Sequence, residues 1–212
     1  METFKLKAQS LSAIGKIEEA RIYLNKALAL KPNDYESIKE LGNSYFFAGD
    51  HKMAKIYYQK SLAINKNYAP ALTMLGSIEI NSDNKQDALS LLIKATESDP
   101  QLAPAWGNLA NGYVQLGKTQ EAEIACRKAI ELNPKLFNSH FLLGTILVGQ
   151  RKLQEAEIST RKAIELNPKL FNSHFLLGTI LIGQKKLQEA EQPLRKTIEL
   201  KPDFFQAHSA LG

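Results

Sequence analysis

The residues Gly112-Tyr113-Val114-Gln115-Leu116-Gly117-Lys118-Thr119 match, letter for letter, the G-x-x-x-x-G-K-[ST] pattern that cradles nucleotide phosphates. That chemistry needs a preceding strand and a run of free backbone N–H groups. Tyr113 and Leu116 lie instead on a helical period, and Gly117 aligns with Gly15 and Gly49 as a turn glycine between helices. The pattern is expected to be coincidental, and the chain is expected not to bind ATP. Three histidines, His140, His174 and His208, recur at a constant interval of 34 and invite a metal ladder. Zinc holds its ligating nitrogens at about 2.0–2.1 Å, whereas stacked helices sit about 8–10 Å apart. One ion could hardly gather two of these rings, so they are read as packing residues, each with one bonded ring nitrogen. The lone cysteine, Cys126, sits among apolar helix residues and is expected to be a buried thiol; one cysteine builds neither a disulfide nor a thiolate zinc site. No catalytic residue, metal site or cofactor is expected.

Lys26, Lys60, Lys94, Lys128, Lys162 and Lys196 form a basic stripe, joined by Arg127, Arg161 and Arg195. Such a stripe could follow a phosphate backbone. Glu123, Glu157 and Glu191 precede the arginines by four residues, and Glu131, Glu165 and Glu199 follow them by four, the spacing of ion pairs along a helix. The stripe is therefore read as a self-paired, solvated outer face rather than a nucleic-acid surface, in keeping with a net charge of only +5 over 212 residues. A composition of 44% apolar and 23% charged residues excludes collagen-like and disordered classes. No apolar stretch nears the roughly 20 residues of a membrane-crossing helix, and the opening METFKLKAQS lacks an apolar signal core. A cytoplasmic protein without membrane contact is expected.

All of these residues sit in a 34-residue register. In blocks 1–34, 35–68, 69–102, 103–136, 137–170 and 171–204, with a partial block 205–212, the columns agree without an insertion. The eighth position holds Ala8, Gly42, Gly76, Ala110, Gly144, Gly178 and Gly212; the twentieth holds Ala20, Ala54, Ala88, Ala122, Ala156 and Ala190. The twenty-seventh holds Ala27, Ser61, Ala95, Ala129, Ala163 and Thr197. Apolar spacing around Leu41–Tyr45 and Leu143–Leu147 has the 3.6-residue period of a helix. A second helical pattern, as in Glu121–Leu132, stops before Asn133-Pro134 because proline blocks its continuation. Each block is thus two helices and two turns. Larger side chains at a close helix crossing would force the backbones apart, so the small columns mark crossings. One such hairpin cannot bury its own apolar face, and the blocks must lean on their neighbours.

Leu41-Gly42-x-x-Tyr45, Trp106-x-x-Leu109-Ala110-x-x-Tyr113 and Leu143-Gly144, with the alanine columns and closing prolines such as Pro32 and Pro134, resemble the tetratricopeptide repeat over the whole chain. The resemblance implies an all-α fold, a right-handed α-α superhelix built as a single array over 1–212. It also implies a concave groove lined by the first helices, which holds peptides or protein surfaces without catalysis. The family's clamp for chaperone tails finds Lys39 and Asn43 here, but meets Met74, Pro104 and Asn108 at its remaining places. The asparagine ladder of sugar-transferase arms finds only Asn108 at the sixth position. Neither mode is expected.

Once the buried positions of each first helix are assigned, positions 2, 5, 9, 12 and 13 form the free stripe. The expected partner-binding residues are Lys39, Asn43, Phe46, Phe47, Thr73, Ser77, Asn111, Gln115, Phe141, Thr145, Phe175 and Thr179. Their rings would meet apolar side chains while amides and hydroxyls bond a backbone. Ile80, Val114, Val148 and Ile182 share this stripe, with packing on the next block as their competing role. The expected function is a non-catalytic scaffold for protein or peptide segments. Two alternatives stay open. One is the repeat arm of a larger enzyme, such as a transferase, truncated at residue 212; the other is an array that self-assembles into a homo-oligomer through the C-terminal repeat end, where Phe204, Phe205, Ala207 and Leu211 lack a partner helix. Residues 127–160 and 161–194 differ at five of 34 positions, and Pro193, where the earlier copy has Ser159, predicts a bend in its helix.

Overall fold

A computed structural model describes residues 1–81 and 84–211, and every regular element among them is an α-helix. Gly212, the eighth residue of the partial block, lies outside the described residues. The chain divides into two compact units, Met1–Asn108 and Leu109–Gly212, with the boundary inside α7 (Ala103–Gln115). The first unit contains α1 (Glu2–Ala13), α2 (Ile17–Leu30), α3 (Tyr35–Phe47), α4 (His51–Ile64), α5 (Ala69–Glu79) and α6 (Lys85–Ser98). The second contains α8 (Thr119–Leu132), α9 (Phe137–Gly149), α10 (Leu153–Leu166), α11 (Phe171–Gly183), α12 (Leu187–Leu200) and α13 (Phe205–Leu211). Within each unit, first helices pair with the helix that follows, as α3 with α4 and α9 with α10, and each second helix also packs on the next first helix, as α4 on α5 and α10 on α11.

The helix ends follow from local chemistry. Asp34 and Asp50 cap α3 and α4 by accepting from the amides of Ser37 and Met53. The turn inside the hairpins needs a left-handed residue, which Gly15, Gly49 and Gly117 supply at φ of +77°, +81° and +71°. In the last two hairpins the same position is Arg151 at φ 61° and Lys185 at φ 64°. A side chain with a Cβ is held there at a cost of about 1–2 kcal/mol. Lys185→Gly is therefore expected to stabilise the second unit by about 0.5 kcal/mol, after the greater flexibility of an unfolded glycine is subtracted. Urea denaturation of the two chains measures this, and a lower midpoint for the glycine variant would contradict it.

The small columns are crossings. Ala20, Ala54, Ala88, Ala122 and Ala156 have no exposed surface. The eighth position meets the twenty-fourth across each hairpin: Gly42 lies under the Tyr58 ring, Gly76 under Leu92, Gly144 against Thr160 and Gly178 under Leu194. α12 runs from Leu187 to Leu200 without interruption, and Pro193 sits past its first turn, with the Thr197 hydroxyl donating to the Pro193 carbonyl at 2.9 Å. Beside Pro193 opens a cleft of about 870 Å³ whose apolar lining is Ile164, Leu177, Leu181 and Pro193.

Candidate functional site

In the first unit, the polar side chains expected to face a partner are engaged by their own chain. Lys39 forms an ion pair with Glu40, Glu40 also accepts from the Asn43 amide at 2.9 Å, and the Tyr58 hydroxyl donates to Asn43 Oδ1 at 2.9 Å. Burial, aided by the nearby Glu40 charge, raises the pKa of that phenol and keeps its proton in place to donate. Column-by-column reading missed Glu40 and Tyr58. Tyr58 had a signal, since it lies one hairpin across from Gly42, but its bond to Asn43 is a tertiary fact. Phe46 is half-buried against the cluster of Ala54, Tyr58 and Leu75, and it meets the Phe47 ring edge-on at 5.8 Å. Phe47 is 69% exposed.

On α5 the structure departs from the expected stripe. Thr73 is only 2% exposed, and its short side chain turns back so that the hydroxyl donates to the Ala69 carbonyl at 2.8 Å. It presents nothing to a partner. Ser77 is half-buried and donates to the Met74 carbonyl at 2.8 Å. Ile80 is 1% exposed, so its role is packing.

In the second unit the stripe is open. α9 and α11 touch, and α10 packs against both. His140, Leu143, Gly144 and Leu147 are the buried side of α9, as His174, Leu177, Gly178 and Leu181 are of α11. Phe141, Thr145 and Val148, and likewise Phe175, Thr179 and Ile182, follow the i, i+4, i+7 line of a separate face. Thr145 and Thr179 are exposed, and their hydroxyls donate to the Phe141 and Phe175 carbonyls at 3.1 and 3.0 Å. Each hydroxyl oxygen is left as an acceptor. Phe141 and Phe175 are half-buried, and the Phe175 ring is braced edge-on by Phe204 at 5.0 Å. On α7, Asn111 is half-buried and Gln115 exposed. The cleft beside Pro193 opens on the side of α11 that carries His174, Leu177 and Leu181, away from the phenylalanine–threonine face.

The other motifs resolve into structural parts. In the phosphate-loop-like segment, the amides of Leu116 and Lys118 donate to the Tyr113 carbonyl, Gly117 to Val114 and Thr119 to Gly117, all at 2.9–3.1 Å. These N–H groups close the end of α7 and are not free for a phosphate. Nε2 of His140 and of His174 lies 2.9 Å from the Pro134 and Pro168 carbonyls, and His208 Nε2 lies 2.8 Å from Pro202. A carbonyl only accepts, so Nε2 carries the hydrogen in each. Trp106 Nε1 makes the same bond to Pro100 at 3.0 Å. A ring N–H that ties down the closing loop is what His and Trp share at that position. On the outer face Arg127, Arg161 and Arg195 pair with Glu123, Glu157 and Glu191 at 2.6–2.8 Å, and Lys128, Lys162 and Lys196 with Glu131, Glu165 and Glu199 at 2.5–2.8 Å.

Cys126 is fully buried, and burial pushes its thiol up to about 12. Only the thiolate attacks iodoacetamide and displaces its iodide, so at pH 8 the folded chain is expected to react roughly a hundredfold or more slowly than a free thiol. Adding denaturant should restore the full rate. Fast labelling of the native chain, followed by mass spectrometry, would contradict the buried placement.

Family models described as tetratricopeptide repeat match residues 6–34, 40–68, 103–136, 137–170 and 160–192. Among solved structures, PilF of Pseudomonas aeruginosa is similar with a TM-score of 0.85 at 18% identity, over 98% of this chain and 95% of that one. PilW, described as a type IV pilus biogenesis factor, aligns with a TM-score of 0.81 at 15% identity, over 100% and 98% of the two chains. YrrB, described as a TPR protein with an unusual peptide-binding site, gives 0.65 at 21% identity, over 88% and 96%. At these identities the likeness is one of fold. No curated protein matches the sequence significantly. Among the described residues, no helix is long and apolar enough to cross a membrane.

Proposed function

Because the chain belongs to the tetratricopeptide repeat family, we propose that it is a non-catalytic scaffold that binds peptide or protein segments along the free faces of its first helices. The observation that carries this reading is the face repeated on α9 and α11. There Phe141 and Phe175 stand half-exposed beside two exposed threonine hydroxyls, in two successive repeats. Apolar rings beside unfilled polar groups are what a binding surface offers. In the first unit, taken by itself, Phe47 offers an exposed ring, while Lys39, Asn43 and Ser77 orient a ligand only by exchanging their present bonds; in the second, Asn111 and Gln115 add amides on α7. Cys126 is buried, and His140, His174 and His208 hold loop carbonyls, so these four side chains serve the fold. One buried thiol and no disulfide suit a reducing cytoplasm.

The double variant Phe141→Ala/Phe175→Ala is expected to keep its helical circular dichroism and to bind a partner captured by the intact chain about thirtyfold more weakly, as the loss of two anchoring rings implies. Unchanged affinity would remove the groove from the account. A second mode is favoured by Leu187 and Phe205, which are 65% and 75% exposed on α12 and α13: contact with another copy through these helices. Light scattering across a concentration series tests it, and a constant monomer mass would end that reading.

A further inference from the structure

We propose that the face of α2 and α4 carrying Lys26 and Lys60 docks an acidic polypeptide segment whose carboxylates alternate with apolar side chains. This surface belongs to the first unit, shares no residue with the α9 and α11 face, and does not rest on that reading.

The twenty-sixth position holds lysine in every full repeat, but its company changes along the chain. In the second unit Lys128, Lys162 and Lys196 are each bound by the glutamate three residues on, at 2.5–2.8 Å. In the first two repeats that place is taken by Ala29 and Ala63, both exposed. Lys26 and Lys60 lie instead over tyrosine rings, 5.0 Å from the centroid of Tyr23 and 5.1 Å from that of Tyr57. Lys7 adds a second ammonium group 5.4 Å from Tyr23. Among the described residues, none of these three lysines has an ion-pair partner. Residues 1–68 hold eleven lysines and arginines against seven acidic residues. Those on the two helices are already bonded within the chain, Glu18 to Arg21 and Glu19 to Lys16, and α4 itself has no acidic residue.

Tyr23 and Tyr57 pack on one cluster, that of Ala8, Leu11, Ala20, Leu24 and Leu41, so the three cations share one surface. Two ammonium groups beside one ring repel, and a carboxylate placed between them is attracted by both. Ile22 and Leu30 stand one turn to either side of Lys26, and Ile64 one turn beyond Lys60, all exposed. The partner that fits therefore brings apolar side chains as well as negative charge.

The rings decide against nucleic acid. Tyr45 and Tyr57 stack on each other at 5.3 Å, with Arg21 over Tyr45 at 4.0 Å and Lys60 over Tyr57. Tyr23 is flanked by its two ammonium groups and by Phe4 at 6.2 Å. These contacts cover the ring faces on which the bases of a single strand would stack. They also hold the ammonium groups down against half-buried rings, whereas a bilayer surface is met by lysines reaching outward on their stems.

The test is fluorescence anisotropy of the full chain at low ionic strength, with a fluorescein-labelled twelve-residue peptide repeating glutamate, leucine, glutamate and serine, and the same peptide with glutamine for glutamate. The acidic peptide is expected to bind about tenfold tighter, as three exposed charge pairs allow, and to lose that advantage as salt is added. Ala29→Glu/Ala63→Glu gives Lys26 and Lys60 the glutamates that their counterparts have; it should keep the helical circular dichroism and weaken the acidic peptide about fivefold. Lys26→Gln/Lys60→Gln should do the same. Equal binding of the two peptides, undiminished binding by these variants, or recognition of oligothymidylate or phosphatidylserine vesicles in place of the peptide overturns the proposal. Phe141→Ala/Phe175→Ala should leave the acidic peptide bound as before, whatever it does to the partner of the groove; loss of the peptide there would move its site to α9 and α11 and end this inference while leaving the groove reading in place.

Discussion

Gly42→Val is expected to lower the melting temperature by about 6–12 °C, equivalent to about 3 kcal/mol in a chain of this size. The reason lies in a single contact. A Cβ at Gly42 would come within 2.6 Å of Tyr58 Cε1, and Tyr58 has no room to yield, being fully buried and tied through its hydroxyl to Asn43. Either the ring leaves its site and breaks that bond, or α3 and α4 move apart and open the crossing at Ala54. Helix propensity alone argues the other way, since replacing a mid-helix glycine by alanine gains about 1 kcal/mol. Gly42→Ala separates the two effects. The clash must exceed the propensity gain for the alanine variant to be less stable, and a contact of 2.6 Å with an immobile ring meets that condition. Gly149, also in a helix but with nothing within 4 Å of its would-be Cβ, serves as the control: Gly149→Ala should be neutral or stabilising. A Gly42→Ala chain that melts higher than the parent would show that the hairpin can spread freely.

Acid is expected to weaken the first two hairpins through Asp34. This side chain is 4% exposed and accepts from the Ser37 amide at 3.1 Å and the Ser37 hydroxyl at 2.6 Å, with Lys5 and Lys31 at 3.6 and 3.5 Å. Burial alone would raise its pKa; the two bonds from Ser37 and the two lysine charges together outweigh burial and hold the carboxyl below the ordinary 3.8. A depressed folded pKa means that the stabilisation is fully present above pH 3.8 and is lost as the pH falls through the folded value. Lys5 is the matching half. Its hydrogen bond to Glu36, joined by the charges of Asp34, Glu36 and Glu2, raises its pKa against the effect of burial, so its contribution persists through neutral pH and disappears only in strong alkali. Asp34→Ala removes the α3 cap and one counter-charge of Lys5, for an expected loss of about 3 kcal/mol at pH 7. Denaturation of parent and variant at pH 7 and pH 3 should show the gap between them shrinking in acid. A gap that stays constant would mean that Asp34 is not the titrating group.

Much of this molecule is written in short-range pattern. The interval of 34 and the apolar spacing define the helix pairs, and the closing prolines mark where each pair ends, because a helix is an i, i+4 object whose signals lie within a dozen residues. The alanine and glycine columns likewise announce the crossings, since only steric bulk matters there. The resemblance to a repeat family followed from those same local marks. Partnerships between helices are another matter. That Tyr58 would occupy Asn43 and that Phe204 would brace Phe175 are contacts made across the fold, between residues up to 29 positions apart. Thr73 and Thr145 are both threonines at positions assigned to one stripe, yet one is buried and the other exposed. Arg151 and Lys185 accept a glycine's backbone because the surrounding hairpin dictates the turn whatever residue stands in it. Local periodicity decided which side of each helix faces in. Only the packed neighbours, whose shapes and hydrogen-bonding needs are met across the gap between helices, decided which of the outward-facing side chains are still free to hold something else.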